Sequence, residues 1–341
     1  MKKNAMKLVL TVAAVVGSLA LSGCEYSFRL NGTNQLRRED AKNFKVEKTA
    51  VEPVRQININ TKLADIELLE ADNYYVEIDY NYFEEEPDYK LEDGVLSFDD
   101  ARSFPESYSV SFNINNSVKI YFPKDSGLDR IKLDNASGDI SLTGFAADQL
   151  DVSVAYGNLA IKDASAAETD INISSGNSDI SKFYTDNLKY SNSYGNSDFT
   201  DINTGASVLE SGEENRSVKL SMSSGNCNIS GLNVNTVDIS NSYGNITCKG
   251  LFADNFESDL SSGSLKVTDS RADDMDISNS YGNVTLALKG EAGDFMLDLN
   301  TSYGSISVDG KNYDGHLFRE NNGDKKIAAD LSSGDLDLKF E

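Results

Sequence analysis

The sequence predicts an all-β protein in which short strands stack as a parallel β-solenoid with a repeat unit of about 19 residues. The first observation is a glycine motif that recurs at intervals of 19, 19, 19, 30, 19, 19, 19, 22 and 30 residues. The second is an alternation of apolar and polar residues on both sides of each glycine, which is typical of strands with one buried face. The third is that no convincing amphipathic helix follows residue 24. The glycines are Gly138, Gly157, Gly176, Gly195, Gly225, Gly244, Gly263, Gly282, Gly304 and Gly334.

Each unit is interpreted as a strand, a glycine corner, a second strand and a polar turn. Around Gly244, the apolar positions are Val237 and Ile239 before the corner and Ile246 and Cys248 after it. Glycine suits a corner because it tolerates positive φ and close approach of another backbone. Two windings satisfy the spacing, a 19-residue coil or a 38-residue coil made of two facing units, and the sequence leaves both open.

Two further columns flank the corner. The residue before the glycine is mostly alternately Ser and Tyr, and the residue three before it is alternately apolar and Asn, so Tyr243 accompanies Asn241 while Ser224 accompanies Met222. We interpret this alternation as volume compensation between neighbouring units. Serines two before the glycine and Asn or Asp one after it are expected to form hydroxyl and amide ladders along the stack.

Residues 1–23 are predicted to be a signal peptide, with a lysine-rich start and the apolar stretch Leu8–Leu21. This stretch is too short for an ordinary membrane span. The motif LSGC that ends at Cys24 resembles the bacterial lipobox. The resemblance implies cleavage between Gly23 and Cys24 and acyl chains such as palmitate on Cys24, which together make a stable membrane anchor. We therefore expect a lipoprotein exposed on the extracytoplasmic side of the bacterial cell membrane.

Three segments are predicted to follow the leader. Residues 24–45 form a slightly basic tether next to the membrane. Residues 46–125 keep the strand alternation but lose the period, and form irregular β coils that cap the solenoid, or alternatively a separate small sandwich. Within them, the segment 55–70 resembles one weak repeat unit. Residues 126–341 form the regular solenoid.

The charge balance disfavours some partners. The chain has 31 Lys and Arg against 55 Asp and Glu, a formal net charge of −24, and loss of the three leader lysines makes it −27. Nucleic-acid binding is disfavoured because phosphate contacts need clustered Lys and Arg. The same charge disfavours adhesion of the folded part to an anionic bilayer.

An acidic column is the sharpest candidate site. Six residues before the glycine stand Asp238, Glu257, Asp276 and Asp298 in successive units. With 19-residue coils, these carboxylates would stack about 5 Å apart on the outer face and repel one another. The column is a candidate for binding Ca²⁺ or a cationic peptide, although hydrated and splayed side chains explain it as well. No other cofactor and no metal site of another kind is expected.

Other residues are assigned structural roles. Cys227 and Cys248 occupy different columns, so we predict two buried free thiols and no disulfide. His316 is the only histidine, and we expect it in an exposed loop because no catalytic motif surrounds it. Enzymatic activity is not expected, since lysines and arginines that serve as bases in β-helix polysaccharide lyases are sparse and scattered here.

Two segments carry a resemblance to a known family. VKIYFPKDSGLDRIKLDNASGDISL (118–142) and LSSGDLDLKF (331–340) resemble the entry segment and the final coil of the putative-adhesin family of bacterial surface β-helix proteins. The resemblance covers roughly residues 45–341. It implies a right-handed parallel β-helix displayed on the cell envelope, and it supplies no catalytic residue.

These observations predict a lipid-anchored cell-surface solenoid that acts as a non-catalytic, adhesin-like interaction module. Its partner would be an envelope or extracellular protein or glycan. The alternative is an envelope-stress protein that engages cationic antimicrobial peptides through its acidic face. A carbohydrate-active β-helix enzyme is a weaker alternative. The ligand is not encoded in the fold, because solenoid surfaces take their partners from exposed side chains.

Overall fold

The computed structural model describes residues 34–110, 113–124, 126–204, 216–321 and 323–341. Gly23 and Cys24 lie outside these residues with the rest of the predicted leader. The described part is almost entirely β-structure, with two short 3-10 turns at Arg38–Asp40 and Ala292–Asp294. Among the described residues, no helix has the length and apolar character needed to cross a membrane.

The N-terminal strands build the first coils of the stack and close its end. β3 pairs in parallel with β7, and β4 with β9, whereas β6 is antiparallel to β7 and β5 is antiparallel to both β9 and β2. β1 and β8 form a separate parallel pair. These strands are β1 (Asn34–Leu36), β2 (Lys42–Ala50), β3 (Gln56–Thr61), β4 (Asp65–Ala71), β5 (Tyr75–Tyr82), β6 (Asp88–Glu92), β7 (Val95–Asp99), β8 (Tyr108–Val110) and β9 (Ser117–Pro123).

The folded part starts before residue 46, which differs from the predicted tether. Leu36 of β1 is buried, and Phe44 of β2 packs against Tyr89 and Phe98 with ring centroids 6.3 Å apart in both pairs. The apolar residues among the charges of 34–45 therefore belong to the cap, because β2 completes the antiparallel sheet at this end of the stack.

The regular strands form two parallel ladders, one before and one after the glycine corners. Paired residues are 19 positions apart from β10 to β12, and they are 30 apart from β15 to β17, where the chain carries an insertion. This is the pairing of the shorter of the two windings. The strands are β10 (Gly127–Ser137), β11 (Ile140–Thr143), β12 (Ala146–Tyr156), β13 (Leu159–Ser175), β14 (Ser178–Tyr184), β15 (Asn187–Tyr194), β16 (Ser197–Ile202), β17 (Ser217–Ser224), β18 (Cys227–Asn233), β19 (Thr236–Tyr243), β20 (Ile246–Ser262), β21 (Leu265–Tyr281) and β22 (Val284–Leu288).

The weak unit at 55–70 joins the stack in the expected register. Ile57 and Ile59 of β3 pair with Ile131 and Leu133 of β10, and β4 continues the ladder against β11. The irregular N-terminal strands are thus continuous with the regular solenoid through this unit, and they share its core.

The core runs along the inside of the stack between the two ladders. Val237, Ile239, Ile246 and Cys248, the apolar positions of one unit, are all fully buried. Each coil supplies such a set, so every apolar residue packs against its own coil and against the coils on either side. Burial of this kind contributes roughly 25 cal/mol per Å² of apolar surface.

The C-terminal strands follow a different order in space than in the chain. β27 pairs with β21 on one side and with β23 on the other, and β28 lies in the same way between β22 and β24. The antiparallel strands β25 and β26 cover the outer edge of β24 and β23. The strands are β23 (Phe295–Thr301), β24 (Ile306–Val308), β25 (Lys311–Tyr313), β26 (His316–Arg319), β27 (Lys325–Ser333) and β28 (Leu336–Phe340).

The segment 331–340 is therefore the last coil in the chain but the penultimate coil in the stack. After β22 the chain leaves one layer empty, forms the coil of β23 and β24, turns back through β25 and β26, and then fills the empty layer. In chain order this segment follows the other described coils, as expected, but in the stack the coil of β23 and β24 lies beyond it, and β25 and β26 cover the outer edge of that coil.

Candidate functional site

The glycine corners stack directly on one another. Gly244 has a φ of +139°, and a Cβ atom built on it would lie 2.0 Å from the carbonyl oxygen of Gly225 in the preceding coil. Gly334 makes the same approach to Gly282, and Gly304 to Gly334, which follows the order in space rather than the order in the chain. Only glycine fits because no side chain is accommodated at this distance.

An amide ladder runs along the outside of the corners. The side-chain oxygen of Asn226 accepts a hydrogen bond from the backbone N–H of Asn245 at 3.0 Å, and that of Asn245 accepts from Ser264 N–H at 2.9 Å. The predicted amide ladder is therefore present, but each side-chain oxygen accepts its hydrogen bond from a backbone N–H of the next coil. Both asparagines are exposed.

The asparagines three before the glycine lie inside the stack. Asn241 is 2% exposed and donates its Nδ2 to the carbonyl oxygen of Gly225 at 2.9 Å. Asn192 and Asn279 make the equivalent bonds to Gly176 and Gly263, both at 3.0 Å. A buried polar side chain is stable when it is hydrogen-bonded, and here it satisfies a carbonyl that the corner leaves inside.

The tyrosines before the glycines point outward, so the volume-compensation interpretation is wrong. The inward positions three before and two after each glycine are five residues apart. Because this number is odd, the alternation has to break between them, and the break turns the residue before the glycine to the surface. The five tyrosines at these corners are 60–79% exposed, and we call them the tyrosine row: Tyr156, Tyr194, Tyr243, Tyr281 and Tyr303.

Along the stack the row alternates strictly with serine. Tyr194 pairs with Ser175 on one side and Ser224 on the other. In chain order Tyr281 and Tyr303 follow each other, but Ser333 of the inserted coil pairs with Tyr281, and Gly334 donates its N–H to the carbonyl oxygen of Tyr303. The inserted coil thus keeps the alternation intact to the end of the stack.

The predicted acidic column is shorter in space than in the chain. Asp238 pairs with Glu257, and Glu257 with Asp276, as expected. Asp276 then pairs with Ala328, which separates it from Asp298. Asp298 is therefore not part of the column, because the inserted β27 lies between β21 and β23.

A lysine partly neutralises the remaining three acids. Lys219, one coil before Asp238, forms a salt bridge with Asp238, which raises the pKa of this lysine. No group of three or more His, Cys, Asp or Glu side chains is arranged to hold a metal ion in the part of the chain that the structure describes.

Both described cysteines are buried and free, as predicted. Cys227 pairs with Ile246 and Cys248 with Ile229, so the two thiols sit diagonally in adjacent coils. Burial raises the pKa of Cys248 to about 12 and that of Cys227 well above its usual value. Both residues act as small apolar core residues rather than as nucleophiles.

His316 is exposed, but it lies on strand β26 rather than in a loop. Its Nδ1 is 2.5 Å from the side-chain oxygen of Asn300 on the neighbouring antiparallel strand. This strand was not predicted, because the segment shows none of the repeat pattern.

A buried carboxyl group in the cap was not predicted. Asp100 is fully buried, accepts two hydrogen bonds from the backbone N–H of Lys62 at 2.9 and 2.8 Å, and is hydrogen-bonded by the hydroxyl of Tyr80. Burial raises the pKa of this carboxyl to about 6. Tyr80 belongs to β5 and Lys62 to the turn between β3 and β4, so Asp100 connects separate parts of the cap.

Comparison with known proteins supports the fold. The model of the Toastrack DUF4097 family matches residues 54–215 and 211–287. No curated protein is significantly similar to the chain in sequence.

Solved structures of low identity resemble the chain along most of its length. A protein described as a putative adhesin from Bacteroides fragilis is 12% identical, with 90% of this chain and 100% of that one covered and a TM-score of 0.39. A second, from Parabacteroides distasonis, is 12% identical, with coverage of 89% and 100% and a TM-score of 0.41. A third, described as a putative cell adhesion protein from Clostridium sporogenes, is 11% identical, with coverage of 88% and 99% and a TM-score of 0.22.

Proposed function

The chain belongs to the Toastrack DUF4097 family, and we propose that it is a lipid-anchored module of the bacterial cell surface that binds a partner without catalysing a reaction. This membership confirms the family resemblance of the corner motifs. The observation that carries the binding role is the tyrosine row, because large aromatic side chains held at the surface in a regular array mark interaction sites.

The non-catalytic part of the proposal rests on the positions of the groups whose pKa values are shifted. The groups with the most strongly raised pKa values, Asp100, Cys227 and Cys248, are all buried in packing contacts. Catalytic groups need access to a substrate, and a perturbed pKa points to function chiefly in an accessible cleft. The repeated surface columns offer many weak contacts, which suits binding of an extended partner.

The anchoring part rests on the sequence of the leader. The proposed cleavage between Gly23 and Cys24 leaves Cys24 as the lipid-bearing first residue, with the solenoid held outside the membrane. We also propose a right-handed winding, because crossover connections between parallel strands of one sheet are right-handed in about 98% of cases.

Anchoring and display are tested in bacteria that express the full chain. The expected result is incorporation of an alkyne-tagged palmitate into the chain, its loss in Cys24→Ser, and cleavage of the wild-type chain by protease added outside, to intact cells or to spheroplasts. Labelling that persists in Cys24→Ser, or a chain protected from external protease in both preparations, overturns the proposal. Cross-linking on the same cells, followed by capture of the chain, identifies the bound component.

The three remaining acids favour a second candidate function. Asp238, Glu257 and Asp276 lie in register on adjacent coils and add to an acidic chain of net charge −24. Such a face attracts cationic antimicrobial peptides at long range. Binding of a lysine-rich amphipathic peptide that weakens with salt and with Glu257→Gln supports this candidate, and salt-insensitive or absent binding removes it.

A further inference from the structure

We propose that the tyrosine row binds an extended β-1,4-linked glycan, with one tyrosine stacked on every second sugar; this inference rests on the proposed binding role and names its ligand. The row consists of five exposed tyrosines that lie on one edge of the stack, at the glycine corners. Tyrosine rings in folded proteins are usually at least partly covered, so a whole column at 60–79% exposure presents its rings to a partner.

The spacing of the row is set by the backbone. Adjacent parallel strands lie about 4.8 Å apart, and a serine coil separates each tyrosine coil from the next, so neighbouring rings repeat about every 10 Å. From Tyr156 to Tyr303 the row spans eight strand spacings, or roughly 40 Å. The alternation of tyrosine and serine coils continues across the insertion before Ser224 and across the reversed coil order at Ser333.

This repeat matches the geometry of one class of polymer. In an extended β-1,4-linked glycan each sugar is flipped relative to its neighbour, so the same ring face returns at every second sugar. That disaccharide repeat is close to two strand spacings. The apolar C–H face of a pyranose ring stacks on an aromatic ring, and the intervening flipped sugar would face a small serine such as Ser224 or Ser262.

The neighbouring polar groups suit sugar hydroxyls. Asn177, Asn196, Asn226 and Asn245 stand one residue beyond the corners, and each uses its side-chain oxygen in the ladder. These asparagines are exposed and recur two residues after the tyrosine or serine position of each corner, and an asparagine side chain also carries an NH₂ group that can donate hydrogen bonds. An aromatic row flanked by amide donors offers both kinds of contact that a sugar ring makes.

Charge decides between glycans of similar shape. The chain carries a net charge of −24, which repels polyanionic polysaccharides such as polyuronates. A neutral or amino-sugar polymer avoids this repulsion. The proposed ligand is therefore a β-1,4-linked polymer of glucose or N-acetylglucosamine, whose backbone is shared by structural polysaccharides of many cell surfaces.

The binding test uses the full chain in detergent with three soluble hexasaccharides: β-1,4-linked glucose, β-1,4-linked N-acetylglucosamine, and α-1,4-linked glucose as the control of different shape. The chain contains no Trp, so a change in tyrosine fluorescence reports binding directly. We expect binding of at least one β-1,4-linked hexasaccharide and at least about tenfold weaker binding of the α-linked control. Equal binding of both linkages, or binding of neither β-linked sugar, overturns the proposal.

Variants separate the row from other aromatic surface. The triple variant Tyr194→Ala, Tyr243→Ala, Tyr281→Ala is expected to lose at least about tenfold in affinity, because it removes three successive aromatic contacts of the row. The matched control is Phe318→Ala, which removes an exposed aromatic residue outside the row. Unchanged affinity of the triple variant, or an equal loss in Phe318→Ala, contradicts the inference.

A second variant tests the spacing itself. Ser224→Tyr combined with Tyr243→Ser keeps the number of surface tyrosines but breaks their two-coil period. We expect it to bind as weakly as a variant that lacks Tyr243, with an unchanged circular dichroism spectrum. Full affinity in this variant shows that the period does not matter and overturns the inference.

Two outcomes distinguish a failure of the proposed function from a failure of the glycan inference. If no hexasaccharide binds, but the displayed chain captures an envelope component that the triple tyrosine variant no longer captures, the proposed function stands and the glycan inference falls. If the chain binds the hexasaccharides through the row but carries no palmitate, the inference stands and the anchoring proposal falls.

Discussion

A Cβ atom on Gly244 would lie 2.0 Å from the carbonyl oxygen of Gly225, so the two corners are in direct backbone contact. Gly244→Ala therefore has to move a backbone that is held in hydrogen bonds on both sides, and it also places a side chain at a φ of +139°. We expect it to lower the free energy of unfolding by about 3 kcal/mol, measured by urea denaturation. The control is Gly127→Ala, where no atom lies within 4 Å and a change within about 0.5 kcal/mol is expected. Similar values for both variants would contradict the stacked corner.

Replacement of Asn241 by Leu tests the internal hydrogen bond. Leucine already occupies the equivalent position of the next coil, at Leu260, so the volume is tolerated. The variant leaves the carbonyl oxygen of Gly225 buried without its donor, and we expect a loss of about 1–3 kcal/mol in unfolding free energy. The volume-conserving control Met222→Leu, one coil earlier, should cost less. A stabilised Asn241→Leu would mean that this carbonyl has another partner.

The buried carboxyl of Asp100 predicts a pH dependence in the cap. Its pKa rises from 3.8 to about 6 in the folded state, so folding favours the protonated form. The contribution to stability is complete below pH 3.8 and is lost as the pH rises through 6. Relative to Asp100→Asn, the wild-type chain should lose about 3 kcal/mol of unfolding free energy between these limits. The prediction fails if the difference in unfolding free energy between wild type and Asp100→Asn stays constant from about pH 3.5 to about pH 7, a range that includes both pKa values of Asp100.

The cysteines predict a reactivity that depends on folding. The raised pKa values of Cys227 and Cys248 keep both thiols protonated at about pH 8, and packing in the core keeps them away from the reagent. In a Cys24→Ser chain, Ellman's reagent should therefore react only after addition of denaturant, and then with both thiols. Ser223→Cys, at an exposed position of the same region, provides the reactive control. Rapid reaction of the native chain without this control cysteine would contradict the predicted burial.

The shortened acidic column predicts different effects for two of its acids. Glu257 lies between Asp238 and Asp276, so Glu257→Gln removes two repulsive contacts and should stabilise the chain by a few tenths of a kcal/mol. Asp298 faces Ala328 instead, so Asp298→Asn should bring no such gain. Thermal unfolding at low and high salt measures both, and the gain of Glu257→Gln should shrink with added salt. An equal gain for Asp298→Asn would restore the four-residue column.

Much of the stack was predictable because its pattern is local. The apolar positions around Gly244 and the free thiols follow from two-residue alternation and a fixed interval. The same alternation marks Ile57 and Ile59, although these residues pair with Ile131 and Leu133, 74 positions further along the chain. These features depend only on neighbours along the chain and one coil away.

The surface and the ends were predicted less well, for different physical reasons. Volume compensation between neighbouring units does not explain Tyr243, because this side chain is exposed, and the odd interval between Asn241 and Ile246 requires a break in the alternation. The reversed order of the last coils is a property of three-dimensional connectivity, which intervals do not encode. The Ser and Tyr alternation did contain a sign of it, since only Ser333 between Tyr281 and Tyr303 keeps the sequence regular. Asp100 depends on contacts from distant segments, and no motif surrounds it.

The reversed order of the last coils also constrains how the molecule is completed. Residues 325–341 leave the ribosome after β21 and β23, yet they fill the layer between the coils of these two strands. The growing stack therefore does not end by simple addition of one coil to the next. A chain that stops early leaves β21 and β23 with open edges that face each other, and open strand edges invite pairing with other chains. A chain that lacks β27 therefore exposes unpaired backbone groups on both β21 and β23, whereas the finished stack has these edges paired.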